Sequence, residues 1–163
     1  MSATPKPADA KPAEGRRHAK PSFREARAGD APAVADLLTQ LGYPCTTEDA
    51  KARIAQMVND RTQALVVVDH LGDVCGLLGL DFMYYLPLGT MTCRITALVV
   101  NESQRRTGVG KDLIKEAERR ARRAGAARIE LTSSASRQAA HEFYKTSGYE
   151  EMSLRFVKRL GDA

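Results

Sequence analysis

The stretch from Leu98 to Lys111, Leu-Val-Val-Asn-Glu-Ser-Gln-Arg-Arg-Thr-Gly-Val-Gly-Lys, limits this chain more than any other part of it. An apolar strand runs up to Val100, a polar turn follows, and a basic loop holding Gly108 and Gly110 opens directly into a helix. The first amides of a helix have no partner within it, and its dipole is positive at that end. Phosphate oxygens can accept hydrogen bonds from those amides. Gly108 and Gly110 let the backbone come close to a ligand, because no Cβ stands in the way. Arg105 and Arg106 add charge that pairs with phosphate oxygens. The bland alternative is a glycine loop with a solvated basic face.

Two phosphate motifs do not fit. Walker A needs a glycine where Arg105 stands and a Ser or Thr where Asp112 stands. The dinucleotide fingerprint needs a third glycine, and Leu113 occupies its place. What remains is Arg105-x-x-Gly108-x-Gly110 after an apolar strand. This resembles the acetyl-CoA pyrophosphate loop of the GNAT N-acetyltransferase superfamily.

The order of elements bears on that resemblance. Phe23 to Arg27 reads as a short strand. Asp30 is a candidate N-cap for a helix through Leu41, with Pro32 early and Val34, Leu37, Leu38 and Leu41 at helical spacing. A second helix starts near Thr46, with Asp49 completing a capping box and Ala50, Ile54, Met57 and Val58 as its apolar face. Strands follow at Ala64–Asp69, from Val74 to about Tyr85, and at Met91–Val100. The helix after the loop ends at Gly125, and a strand covers Arg128–Thr132. A helix covers Arg137–Ser147, with Gly148 at its C-cap. A last strand is expected from Tyr149 to Leu160, alternating Met152, Leu154, Phe156 and Leu160 against Glu151, Ser153, Arg155 and Arg159. Across residues 23–160 this order is similar to the GNAT fold. The resemblance implies an α/β (α+β) domain: a mixed, mostly antiparallel sheet flanked by helices, with a splayed strand pair binding CoA.

Composition sets the boundaries. Residues 1–22 are rich in Ala, Pro and Lys and read as a disordered basic tail, leaving one domain over residues 23–163. The tail's five Lys/Arg against Asp9 and Glu14 supply +3 of the chain's net +5. The helix from Gly108 to Ala124 has a basic face, but Asp112, Glu116 and Glu118 are interleaved and no aromatic residues accompany it. It therefore reads as a solvated face rather than a nucleic-acid platform. No apolar run approaches a membrane span, and no signal-peptide core is visible. Cys45, Cys75 and Cys93 have no metal spacing and read as free thiols of a cytoplasmic protein, so no metal is expected.

The resemblance also assigns chemistry. Leu98, Val99 and Val100 would hold the pantetheine arm by main-chain hydrogen bonds, and an amide near Val99 would polarise the thioester carbonyl. Arg105, Arg106, Thr107, Gly108, Val109 and Gly110 would hold the pyrophosphate of acetyl-CoA. The segment Ala140-His141-Glu142-Phe143-Tyr144-Lys145-Thr146-Ser147-Gly148-Tyr149 looks like the family's closing helix, which makes Tyr144 the acid for the leaving thiolate. The family's carboxylate on the strand before the loop is missing from Cys93–Val100. Asp81 is the candidate base, with Glu130 or a water relay as alternatives. Arg94 would hold an anionic group of the substrate or pair with Asp81. Arg137, His141 and Phe143, with Arg155-Phe156-x-Lys158, look similar to a subgroup that includes aminoalkylphosphonate N-acetyltransferases.

The expected activity is acetyl-CoA-dependent N-acetylation of a primary amine of a small molecule, by direct attack in a ternary complex. A protein lysine or N-terminal acetyltransferase and a non-catalytic acyl-CoA-binding module stay open as alternatives. A homodimer is a family expectation; nucleic acid and membrane are not expected partners.

Overall fold

The structure is a computed structural model and describes residues 19–161. Most of the expected tail, residues 1–18, lies outside the described residues. Strands β1 (Ser22–Glu25), β2 (Gln63–His70), β3 (Asp73–Tyr85) and β4 (Thr90–Val100) pair antiparallel in that order. β5 (Ala126–Leu131) joins β4 in parallel. A parallel neighbour needs a crossover, and helix α3 (Val109–Arg123) provides it. The sheet is thus mixed and mostly antiparallel, with helices on both faces.

The cores explain the sequence pattern. On one face Val66, Val68, Leu78, Leu80, Cys93 and Ile95 pack against Leu113, Ile114, Ala117 and Ala121 of α3. On the other, Leu65, Val67, Leu77 and Val99 meet α1 (Ala31–Gln40) and α2 (Thr47–Val58) through Val34, Leu37, Ala50 and Ile54. β2 is apolar without a break because both its faces are covered.

The capping box at Thr46 forms, with the Thr46 hydroxyl and the Asp49 carboxylate each accepting the other's amide at 3.1 Å. Asp30 does precede α1, but its side chain does not cap it. Its carboxylate instead accepts from the Arg24 guanidinium at 2.8 and 2.9 Å and from the Arg27 amide at 2.7 Å. Arg24 also reaches Asp69 at 3.1 Å, so one ion cluster joins β1, β2 and the entry to α1. On α3, Glu116 takes both Arg119 and Arg120, Arg120 also reaches Glu25, and Glu118 pairs with Arg122. The basic face is therefore largely paired along the helix, as the interleaved acids suggest.

The expected last strand is not there. Residues 150–160 have neither strand nor helix, and Met152, Leu154, Phe156 and Leu160 are 83–93% exposed. Alternating side chains make a strand only beside an edge that accepts them, and among the described residues no strand pairs with this segment. Among the described residues no helix is long and apolar enough to cross a membrane.

Candidate active site

The site begins with an irregularity between β3 and β4. Gly79 pairs with Ala97 but Leu80 pairs with Ile95, so Thr96 is an extra residue, a β-bulge. Gly79 makes room for it, because a Cβ there would stand 2.7 Å from the Thr96 hydroxyl. A bulge bends its strand. Pairing with β5 ends at Ile95↔Leu131, whereas β4 runs on to Val100 beside β3 alone. The two strands part, and a cavity of about 1300 Å³ opens between them, reaching from Thr96–Leu98 and Val100 to Leu131–Ser134.

The ladder fixes which backbone groups face this cavity. Asn101 donates its amide to the Cys75 carbonyl at 2.8 Å. Antiparallel pairing alternates, so Val99 opposite Leu77 also turns its groups to β3. The N–H and C=O of Leu98 and Val100 then point away from β3, and the Arg105 guanidinium lies 3.4 Å from the Val100 carbonyl. Along Leu98–Val100 the amides that point away from β3 are those of Leu98 and Val100, not that of Val99. The Val99 side chain is in the opposite core.

The basic loop closes one end. Arg105, Arg106, Gly108, Gly110 and Lys111 line the cavity there. Arg106 and Gly108 have φ of +63° and +92°, and this pair of left-handed residues turns the chain into α3. The first bond of α3 runs from the Asp112 amide to the Gly108 carbonyl, and no side chain caps this end. The Val109, Gly110 and Lys111 amides precede that bond, so they are the donors a helix start offers. Gly110 lies against α4: a Cβ there would rest 3.4 Å from the Phe143 ring, an ordinary contact. Thr107 spends its hydroxyl on the Gln104 carbonyl, at 2.5 Å, and the Val109 side chain is buried in the core.

Helix α4 (Gln138–Thr146) forms the opposite wall with Phe143 and Tyr144. The Tyr144 ring meets Phe143 and Tyr149 edge-on, with centroids 5.4 and 5.9 Å apart. Burial pushes the Tyr144 phenol above its ordinary value, opposed in part by the Arg137 charge. Burial pushes the neighbouring Tyr149 up to about 12. Tyr144 is thus a protonated phenol at neutral pH.

Asp81 lies elsewhere. It stands in a row across the sheet with Gln63, Arg94 and Glu130, on the opposite face from Leu80 and Phe82, and it does not line the cavity. Arg94 does not pair with Asp81, its register neighbour. Its guanidinium contacts Glu130 at 2.5 and 2.9 Å. Glu130 also holds Arg128 at 2.8 Å, and Arg128 sits 4.2 Å over the Tyr85 ring. Asp81 makes no ion pair among the described residues. Among the described residues no carboxylate lines the cavity, whereas Arg105, Arg106, Lys111 and Arg137 do. Among the described residues there is no cluster of His, Cys, Asp and Glu suited to a metal. His141 contacts the Ser134 carbonyl at 2.8 Å, which orients the α4 entry.

The end of α1 also reaches the site. Gln40 and Tyr43 line the cavity, and Gln40 accepts the Glu102 amide at 3.1 Å. Arg137, at the start of α4, donates to the Leu41 carbonyl and ties α4 to α1 across the cavity mouth. These contacts join residues far apart in the chain, and no local pattern announces them.

Residues 31–149 match the model of the acetyltransferase (GNAT) family. An aminoalkylphosphonate N-acetyltransferase of Salmonella typhimurium is 36% identical over 89 residues, 55% of this chain and 58% of that protein; the chain thus spans little over half the length of this curated relative. A solved structure described as a putative acetyltransferase from Agrobacterium tumefaciens superposes with a TM-score of 0.76 at 25% identity, covering 85% of this chain and 99% of that one. An aminoglycoside N-acetyltransferase in complex with CoA gives a TM-score of 0.76 at 18% identity, covering 88% and 96%, a likeness of fold.

Proposed function

The chain belongs to the GNAT acetyltransferase family, and on that premise we propose that it transfers the acetyl group of acetyl-CoA to a primary amine of a small molecule, by direct attack in a ternary complex. The observation that carries this is the parting of β4 from β5 with a helix start at one end and a protonated tyrosine opposite. The pantetheine amides pair with Leu98 and Val100 as a further strand would. The pyrophosphate takes the α3 amides with Arg105 and Arg106. The amine attacks the thioester carbonyl, whose oxygen accepts from a β4 amide. The C–S bond breaks, and Tyr144 donates its proton to the departing sulfur.

The amine proton goes to water. Glu130 is committed to two arginines and Asp81 does not line the cavity, so neither carboxylate of that row takes the amine proton directly. The acceptor itself carries an anionic group. With Arg105 and Arg106 given to the pyrophosphate, the cavity keeps Lys111 and Arg137 and, among the described residues, no carboxylate, which suits an amino-phosphonate, amino-phosphate or amino acid better than a polyamine. The name of the Salmonella relative points the same way.

The test is incubation with acetyl-CoA and a pooled amine panel, read by mass spectrometry. Acetylated anionic amines are expected. Acetyl-CoA binding with no product, or with product only on polyamines or lysine peptides, refutes the reading and favours a binding module or another acceptor.

A further inference from the structure

A cluster of charge stands at the foot of the cavity. β4 and β5 stay paired up to Ile95↔Leu131, and the next pair below is Arg94↔Glu130. Ile95 and Leu131 belong to the core on the α3 side. Side chains alternate along a strand, so Arg94, Glu130 and Arg128 stand on the other face. Thr132, two residues past Glu130, lines the cavity. About 7 Å of strand therefore separates the cluster from the cavity.

Glu130 holds the two arginines side by side. Its Oε1 accepts from Nε and Nη2 of Arg94 at 2.9 and 2.5 Å, and its Oε2 accepts from Nη2 of Arg128 at 2.8 Å. Arg128 is fixed further by the Thr92 hydroxyl at 3.2 Å and by the Tyr85 ring, 4.2 Å away. Among the described residues neither Nη1 has a partner. The arginine side chains are 44% and 34% exposed, so both forks are open to a ligand. Two positive charges against one negative leave the cluster at +1. Arg155 adds a third cation at the rim, where it reaches the Thr132 hydroxyl at 2.9 Å. Asp81 is the register neighbour of Arg94, yet it has no ion pair among the described residues. A ladder built only to staple strands would give Arg94 to Asp81 and Arg128 to Glu130, pairing every charge. Here the positive charge is gathered on the β5 side, and exposed ion pairs of this kind stabilise little.

We propose that the two guanidiniums are the seat of the acceptor's anionic group, that this group is a phosphonate or phosphate, and that Arg94 is the residue that selects it. The inference rests on the acetylation of anionic amines proposed above and names the side chains that read them. Lys111 lies at the cofactor end of the cavity, and Arg137 gives its guanidinium to the Leu41 carbonyl. The Arg94–Arg128 pair stands at the opposite end of the β4 edge, past Leu98, where the thioester falls when Leu98 and Val100 hold the pantetheine. Each free Nη1 offers two N–H groups. A tetrahedral group with three oxygens takes both forks, whereas a carboxylate is filled by one. A short carbon chain then keeps the anion on the open face of the sheet and carries the amine into the cavity.

Steady-state kinetics on an aminoalkylphosphonate, and on the amino alcohol and amino carboxylate of equal length, test this. Arg94→Gln is expected to raise KM for the phosphonate about tenfold or more, with KM for acetyl-CoA and turnover of the amino alcohol unchanged. Asp81→Asn removes a negative charge beside Arg94 and breaks no ion pair. It should lower KM for the phosphonate by about twofold at low salt and leave the amino alcohol as it was. An alkylphosphonate without an amine should inhibit competitively against the amine and not against acetyl-CoA, which separates this site from the pyrophosphate loop. With CoA saturating that loop, its phosphorus NMR resonance should shift with the wild type and not with Arg94→Gln/Arg128→Gln. Acetylation of neutral amines or polyamines alone would overturn the proposed acceptor, and the phosphorus titration then decides the site by itself. An unchanged KM for the phosphonate in Arg94→Gln refutes the inference, as does a phosphonate shift that survives in the double variant. An amino carboxylate taken as well as the phosphonate refutes the choice of group. Should the arginine variants fail to fold, Asp81→Asn decides, and a KM that is unchanged or higher refutes the seat.

Discussion

Alanine at Gly79 asks whether the β4 bulge, which opens the cavity, is held by packing. The new Cβ would stand 2.7 Å from the Thr96 hydroxyl, well inside the ordinary contact of about 3.4 Å, while its next neighbours, the Ala97 amide and Cβ, stay at 3.4 and 3.5 Å. Threonine is stiff at χ1, and one of its two other rotamers puts the methyl in the same space. Either that side chain leaves its rotamer or the backbone of the bulge gives. Overpacking of this sort costs about 1–3 kcal/mol, and each kcal/mol lowers Tm by roughly 2–4 °C in a chain of this size. In a Thr96→Ala background the obstructing atom is gone. There Gly79→Ala is expected to be neutral, or stabilising by about 0.5–1 kcal/mol, since glycine weakens a strand interior. The assay is a double-mutant cycle by denaturant unfolding, with KM for acetyl-CoA measured alongside. Gly79→Ala in the native background should raise that KM, because the displaced residues carry the Leu98 and Val100 amides. If Gly79→Ala costs the same in both backgrounds, within about 0.5 kcal/mol, the packing argument is wrong.

Three further outcomes are expected. Tyr144→Phe should lower kcat by about 10²–10⁴ with KM for acetyl-CoA little changed, and the wild-type pH profile should show no loss of this acid below pH 10, because burial holds the phenol above its ordinary value. Asp30→Asn should cost about 1.5–3 kcal/mol in denaturant unfolding, since Asp30 is buried against Arg24. Arg24 holds that carboxyl below the usual range, so its stabilisation is present above the unfolded value of about 3.9 and is lost as pH falls through the lower folded value; the Asn variant should lack that part of the acid slope. Arg137→Ala should raise KM for the amine more than for acetyl-CoA, as it frees the end of α1 from α4; equal changes in both would refute the clamp.

The sequence made the meander, the crossover helix and the loop legible because each is written locally. Apolar runs bounded by Gly72-Asp73 and by Pro87 and Gly89 mark the strands, and Thr46 with Asp49 marks a helix start. What stayed hidden depends on partners distant in the chain. The alternation of residues 149–160 predicts a strand, but no pattern within it says whose edge it joins. Asp81 is the candidate base in the sequence because Cys93–Val100 lacks an acid, and only the folded sheet shows that no residue of its row lines the cavity. Arg94 found Glu130 on a parallel neighbour, a pairing no short-range spacing encodes. The loop at Arg105–Gly110 reads locally as a strand-to-helix turn, whereas the approach of Gly110 to Phe143 of α4 has no local signal.

The parting of β4 and β5 has a consequence for how the molecule opens. β2, β3 and β4 join through tight connections, so their pairing closes short loops, whereas β5 reaches β4 only after all of α3 has formed. The cavity lies along the seam between these two cooperative units. Spanning it, bound acetyl-CoA acts on the docking of β5 and α4 more than on the meander. At a hundred times its Kd such a ligand adds about 2.7 kcal/mol against opening of the seam, which slows amide exchange in β5 and α4 by about a hundredfold and leaves the β2–β3 hairpin nearly as it was.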